Sequence, residues 1–583
     1  MTSNRLEWRA LQPDTDSFQP LFSRSFDDDA DCLAAVQPRL ISALGLLQLS
    51  SAAFPLMLVK AAESHDYLAL LADAARSVSE ESETVYGGQY TISGHNISWQ
   101  GTDVADARFA SRGETHFADW IEAEQLFGCV RVYQDIIQLE PGLLHRVNGG
   151  TLVLSLRSVL AQPLLWLRLK QIISRQRFEW LSPDETRPLP VAIPSMPMQF
   201  RLVLSGERDA LADFQEMEPE LASLCIYSEF EENLQIADEE ELTLWCQWTQ
   251  HLARASALPA INADFWPALI RDAVRYTGDQ QTLPLCPAWL NRQLREAALY
   301  SEDEQITAAS LTAALEARLW RESYLSERVR DEILLDQILI ETEGDVIGQI
   351  NGLSVIEFPG HPRAFGEPSR ISCVVHAGDG EFTDVERKAE LGGNIHAKGM
   401  MIMQAYLISE LELEQQLPFS ASLVFEQSYT EVDGDSASLA ELCALISALA
   451  NQPISQHIAV TGSVDQFGNV QPVGGLNEKI EGFFEICRQR ELSGKQGVII
   501  PASNVRHLSL HQGLVNAVRE GQFHIWAVSS ADEALPLLTG VEWNKENAPC
   551  LLRSIQERIA QIQQQDARQR PWPLRWLNWF DHS

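Results

Sequence analysis

Two short segments of this 583-residue chain hold the residue types of acyl-transfer chemistry. In Glu431-Val432-Asp433-Gly434-Asp435-Ser436-Ala437-Ser438, a turn-prone Asp-Gly-Asp precedes Ser436. The run from Ala437 to Ala450 then repeats Leu439, Leu442, Cys443, Ile446 and Leu449 at helical spacing. That spacing puts the Ser436 hydroxyl at a helix N-terminus, where the amides of Asp435 and Ser436 and the helix dipole favour a developing oxyanion. In Gly474-Gly475-Leu476-Asn477-Glu478-Lys479, the lysine follows a Gly-Gly turn and sits in an amphipathic run with Ile480, Phe483, Phe484 and Ile486. Burying its stem would lower the pKa of the amine, and a neutral amine can take the serine proton. Spacing alone leaves plainer readings open: Asp-Ser before an apolar run is a common N-cap pattern, and a lone helical lysine is usually a solvated charge.

A longer series of words, in order from Ile340 to about Val541, surrounds these residues. They are Ile350-Asn351-Gly352-Leu353-Ser354-Val355, Gly366-Glu367-Pro368-Ser369-Arg370-Ile371, Gly393-Asn394-Ile395-His396-Ala397-Lys398-Gly399, Gly434-Asp435-Ser436-Ala437-Ser438, and Val460-Thr461-Gly462-Ser463 leading to Pro472-Val473-Gly474-Gly475. Together they resemble the proteolytic domain of the Lon peptidase family, in its archaeal-type (LonB-like) branch. The resemblance implies a serine endopeptidase in which Ser436 is the nucleophile and Lys479 the general base. It gives supporting places to Thr461, near the lysine, and to the acidic Asp433, near the serine; Asp435 supports the site through its backbone amide, as above. A strand-end hydroxyl and a turn aspartate are the alternatives for Thr461 and Asp433, and His396 in its Gly-rich turn reads as structural. No metal and no cofactor are required.

The N-terminal half resembles the same branch and departs from it where nucleotide chemistry would sit. Pro55-Leu56-Met57-Leu58-Val59 reads as a buried strand, but Lys60-Ala61-Ala62-Glu63-Ser64-His65-Asp66-Tyr67 follows it. A phosphate loop needs glycines so that amides can curl round the anion, and a lysine to neutralise it. This stretch has no glycine, and Asp66 aligns with the lysine position. Leu144 to Leu154 resembles the strand that leads to a metal-handling Asp-Glu pair, yet Ser155-Leu156 stand there, and these cannot act as magnesium ligand and base. Leu126-Phe127-Gly128 and Phe200-Arg201-Leu202-Val203-Leu204-Ser205-Gly206-Glu207 are further echoes of the scaffold.

The expected fold is therefore multidomain, α/β plus α+β. Residues 1–235 form a degenerate AAA+-like α/β module with an insert near 80–117. Residues 236–325 form a helical lid punctuated by Pro259, Pro267, Pro284 and Pro287, 326–340 a charged linker helix, 341–545 the Lon-type proteolytic domain, and 546–583 a polar helix and a Trp/Arg-rich tail. Asn469-Val470-Gln471 reads as part of a hairpin. The tail from Arg570 to Phe580 reads as packed on the protein itself or as a docking segment. A net charge of −37 argues against nucleic-acid binding. Nine dispersed cysteines without a Cys-x-x-Cys pair, no basic-then-apolar leader and no long apolar run point to the cytoplasm, without a membrane span. Polypeptide substrates and a homohexamer are what the resemblance implies for partners. The competing class is a noncatalytic scaffold or regulatory binding protein that keeps the fold.

Overall fold

In the computed structural model, the described residues are 4–24, 26, 32–49, 55–79, 88–101, 109, 113–134, 136–182, 186–302, 305–378, 380–411, 419–428, 434–546 and 548–569. Three apolar runs and two more polar edge strands build a wholly parallel sheet: β1 (Leu56–Lys60), β2 (Thr115–Ala118), β3 (Thr151–Ser155), β4 (Arg201–Gly206) and β5 (Ile226–Glu229), in the order β5-β1-β4-β3-β2. Side chains alternate across a strand, so the two faces carry different residues. Leu56, Leu58, Leu152, Leu154, Leu202 and Leu204 bury one face against Phe127 and Trp166. Met57, Val59, Val153 and Val203 share the other core with Trp245, Trp248 and Trp266 of the lid. Part of the stretch read as an insert thus supplies the edge strand β2, while Gly88–Ser93 and Asn96–Gly101 pair as a separate hairpin.

After β1, the chain turns through four residues into α1 (His65–Ser77), with Asp66 exposed in its first turn. The lid contains α2 (Glu239–Ala255), α3 (Phe265–Thr277), α4 (Pro287–Leu299) and α5 (Ala308–Glu322). The indole N–H groups of Trp245 and Trp248 donate to the carbonyls of Pro284 and Leu285 at 2.8 and 3.0 Å, so these large rings are buried with their polar atoms satisfied. The linker helix, α6 (Tyr324–Leu334), is shorter than its charge pattern suggests. Asp336 takes a left-handed φ of 55°, and Ile338 and Ile340 turn inward to meet Ile333 and Ile486.

The C-terminal domain is built on a seven-stranded mixed sheet. Its strands are β6 (Gln349–Ile356), β7 (Phe365–Ala377), β8 (Phe382–Asp384), β9 (Phe419–Phe425), β10 (Ile458–Val460), β11 (Gly497–Pro501) and β12 (His524–Val528), in the order β8-β9-β7-β6-β10-β11-β12. On one face pack α7 (Asn394–Leu411), α8 (Ser438–Ala450) and α10 (Leu551–Gln569); on the other packs α9 (Leu476–Gln489). Helix α8 is buried almost all round, as an apolar helix at the centre of a domain must be. Its C-terminal carbonyls, Ala448 and Leu449, accept from the Arg558 guanidinium of α10 at 2.6 and 3.0 Å.

The chain's first residues belong to this sheet and not to the α/β module where the sequence places them. Leu6 N donates to Ile525 O and Ala527 N donates to Asn4 O, both at 2.8 Å, alongside β12. Leu11 is buried among Phe483, Val498 and Ile525. A segment this short has no periodicity of its own, and its pairing partner lies some five hundred residues away, so composition carries no sign of it.

Candidate active site

The serine and the lysine reach each other from opposite faces of the second sheet. Strand β10 runs parallel to β6 and β11, and Thr461 continues it past its carboxyl end, the place where open α/β sheets bind ligands. The Thr461 amide donates to Ile499 O at 3.1 Å. The Gly462 amide donates to Ser436 O at 2.9 Å, and Leu439 N donates to Gly462 O at 3.1 Å, which ties the serine turn to the strand end. Helix α8 begins at Ser438, two residues after Ser436, and its N-cap is Ala437, without a side-chain cap. The Ser436 hydroxyl is not spent on capping; Ser438 Oγ instead accepts from Val464 N at 3.0 Å.

Lys479 arrives on the first turns of α9. Gly475 caps this helix at φ 62°, and a Cβ there would lie 2.4 Å from Val355 Cγ2, so glycine is required by both conformation and space. The side chain is 4% exposed, and Nζ donates to Ser436 Oγ at 3.1 Å and to Thr461 Oγ1 at 3.4 Å. Thr461 Oγ1 in turn donates to Ser436 O at 3.4 Å. Burial lowers the Lys479 pKa to about 8, against the nearby Asp435 carboxylate, which favours the charged form. Asp435 Oδ2 accepts from Ser463 Oγ at 3.0 Å, and Gly399 of α7 packs against the Asp435 Cβ.

Of the residues expected at the site, Ser436, Lys479, Thr461 and Asp435 come together, and Asp433 lies outside the described residues. His396 is 1% exposed and belongs to a separate buried cluster, with Nε2 3.2 Å from Asp384 Oδ2 and Nδ1 3.8 Å from Glu441 Oε1. Ser463 was passed over by sequence reasoning, although its place after Thr461-Gly462 could have pointed to it. Among the described residues, no group of three or more His, Cys, Asp or Glu side chains is arranged to hold a metal ion. No helix among them is long and apolar enough to cross a membrane.

At the carboxyl edge of the first sheet, a carboxylate of the chain itself occupies the region where a phosphate would be sought. Glu63, in the turn after β1, accepts from Ser155 Oγ at 2.5 Å, from Arg157 N at 2.8 Å and from Arg157 Nε at 3.1 Å. Arg157 also pairs with Asp209 at 2.9 Å. The donors after β3 are thereby engaged by an internal anion.

A parallel α/β module with a helical lid, followed by an α+β domain that sets a serine hydroxyl against a buried amine, defines the class: an AAA-like domain joined to a peptidase domain. The family model described as LonB-like, AAA domain matches residues 117–230, and the one described as Lon protease (S16) C-terminal proteolytic domain matches residues 424–539. A Lon protease homolog of Escherichia coli (strain K12) is 61% identical over 583 residues, all of both chains. One of Haemophilus influenzae (strain ATCC 51907 / DSM 11121 / KW20 / Rd) is 42% identical over 571 residues, 95% of this chain and 93% of its own. The archaeal Lon protease of Pyrococcus abyssi (strain GE5 / Orsay) is 27% identical over 443 residues, 73% of this chain and 41% of its own. The chain belongs to the Lon protease family and carries its S16 proteolytic domain.

Proposed function

We propose that the chain is a serine endopeptidase working through Ser436 and Lys479, independent of ATP, that cuts unfolded or flexible polypeptides. The observation that carries this reading is the 3.1 Å contact between Ser436 Oγ and a buried Lys479 amine whose pKa is lowered to about 8. At pH 7, about one amine in ten is then neutral, and near pH 8 about half. In the neutral form, the same contact has Oγ–H donating to Nζ, with Thr461 holding the amine in place.

Ser436 Oγ attacks the scissile carbonyl as its proton passes to Nζ, and the oxyanion develops against the turn amides of Asp435 and Ser436. The resulting ammonium donates its proton to the leaving amine, whose C–N bond breaks to give the acyl enzyme. Water then attacks, delivering a proton to Nζ, and the acid product leaves as Oγ recovers its proton. ATP independence is supported by the occupation of the phosphate region by Glu63 and by Ser155 and Leu156 at the carboxylate positions. Without a motor, folded substrates should resist. A homohexamer in the cytoplasm, acting on polypeptides and without nucleic acid, completes the reading.

The test is cleavage of an unfolded protein and of fluorogenic peptides by the wild type, Ser436→Ala and Lys479→Ala, with and without ATP-magnesium. Activity lost in both variants and unchanged by ATP supports the proposal. ATP-stimulated cleavage removes its motorless part. No cleavage by the wild type across pH moves the reading to a noncatalytic scaffold.

A further inference from the structure

One ion-pair cluster joins the lid directly to the helix that carries Lys479. Arg275, in the last turn of α3, extends across the domain boundary to α9. Its Nη1 and Nη2 donate to the two carboxylate oxygens of Glu481, each at 2.7 Å, and Nη2 also donates to Glu478 Oε1 at 3.0 Å. The three side chains are 25%, 22% and 26% exposed, so the cluster is largely withdrawn from water. Glu481 takes a further bond from His511 N at 2.9 Å. Glu478 and Glu481 bracket Lys479 within one helical turn.

A neighbouring side of that turn rests on β7 with no side chain between the backbones. A Cβ at Gly366 would lie 2.1 Å from Glu478 O, and one at Gly482 would lie 2.1 Å from Gly366 O. The turn is therefore fixed by two contacts, a strand backbone and a guanidinium fork. A planar fork fixes direction as well as charge, which a lysine in its place could not do. We propose that Arg275 is a positioning residue for the Lys479 amine: its fork on Glu478 and Glu481 fixes the first turns of α9 and makes the lid part of the acyl-transfer site. This rests on the reading of Ser436 and Lys479 given above.

The test compares wild type, Arg275→Lys, Arg275→Met and Arg506→Met in the full chain. Arg506 pairs with Asp279 across the same two domains, but from outside α9, so it controls for lid attachment in general. The first readout is the rate at which a small fluorophosphonate labels Ser436, with kcat and KM for a fluorogenic peptide; the second is hydrogen exchange of the amides of residues 476–482. Arg275→Met should slow labelling and kcat roughly 10- to 100-fold with KM within about two-fold, since a displacement near 1 Å is enough for such a loss. Arg275→Lys should fall between it and the wild type. Exchange at 476–482 should speed up in both Arg275 variants, with Arg506→Met close to wild type throughout.

Wild-type rates and protection in Arg275→Lys overturn the proposal, and so do equal losses in Arg506→Met. If Arg275→Met does not fold, Arg275→Lys decides alone. If the wild type is not labelled at Ser436, the Ser436–Lys479 reading fails, and so does a positioning role toward that chemistry. Exchange at 476–482 then separates the two failures, by showing whether Arg275 still holds the turn.

Discussion

Replacing Gly366 by alanine should disable the site while leaving the protein folded, because the added methyl would press on the backbone that carries Lys479. Gly366 lies on β7, and a Cβ there would stand 2.1 Å from Glu478 O, 2.4 Å from Glu478 C and 2.6 Å from Lys479 Cα. These three nearest atoms are all backbone, so no side chain can swing aside to relieve them. Backing off from 2.1 Å to an ordinary contact of about 3.4 Å requires roughly 1.3 Å of separation between β7 and α9. If the strand and the helix share it, Lys479 moves by roughly 0.6 Å, and as much of that shift as falls along its 3.1 Å contact with Ser436 Oγ lengthens it towards about 3.7 Å, beyond a useful hydrogen bond. Overpacking of this size costs about 1–3 kcal/mol, which a folded domain can absorb, whereas a catalytic group displaced by about 1 Å can cost on the order of 100-fold in rate. The assay is kcat/KM on an unfolded substrate, with fluorophosphonate labelling of Ser436 and a thermal melt on the same samples. A fall of about 10-fold or more in both rates, with a cooperative melt retained, is expected. Activity within about two-fold of wild type would refute the argument that backbone contact at Gly366 sets the position of the amine.

Three other substitutions bear on the account. Asp435→Asn removes the charge that opposes burial at Lys479, so the acid limb of the pH–rate profile should move below the wild-type value of about 8; an upward shift would contradict the assigned cause. Glu441→Gln tests the buried cluster: burial pushes the Glu441 carboxyl up to about 7 although His396 pulls it down. A carboxyl raised in the folded state costs stability once it ionises, so the variant should match wild type near pH 4 and exceed it at pH 8 by roughly 3 kcal/mol. Equal stability at both pH values in denaturant melts would count against this. Glu63→Ala takes the acceptor from the part-buried Ser155 Oγ, while water can replace it at the exposed Arg157 amide, and should lower stability by about 1 kcal/mol without creating ATP hydrolysis; ATPase activity in that variant would show the phosphate region to be usable.

The chemistry was legible where it is written in short, ordered segments. Ser436 behind Asp-Gly-Asp and Lys479 behind Gly-Gly each announce a turn and the start of a helix, and the strand that leads into Thr461 lies between them in sequence. The leucines of β1, β3 and β4 likewise mark a buried parallel sheet. What stayed hidden depends on distant partners. Leu6 and Leu11 read as part of the first module because nothing local ties them to β12. Arg275 looks like any helical arginine until Glu478 and Glu481, some two hundred residues later, are brought against it. Glu63 is one acidic residue in a polar turn, and only the fold aims Ser155 and Arg157 at it. The charged run through the linker does not reveal that its helix ends at Leu334, since Ile338 and Ile340 are drawn inward by Ile486, a residue of another element.

The most direct measurement is the pH dependence of fluorophosphonate labelling at Ser436, followed by intact mass and peptide mapping in wild type and Lys479→Met. The account requires a single label on Ser436 in the wild type, with a rate that rises through an apparent pKa of about 8, and loss of both the rate and its pH dependence in the variant. A label elsewhere, or a wild-type rate that is flat from pH 6 to pH 9 and survives in Lys479→Met, would contradict it.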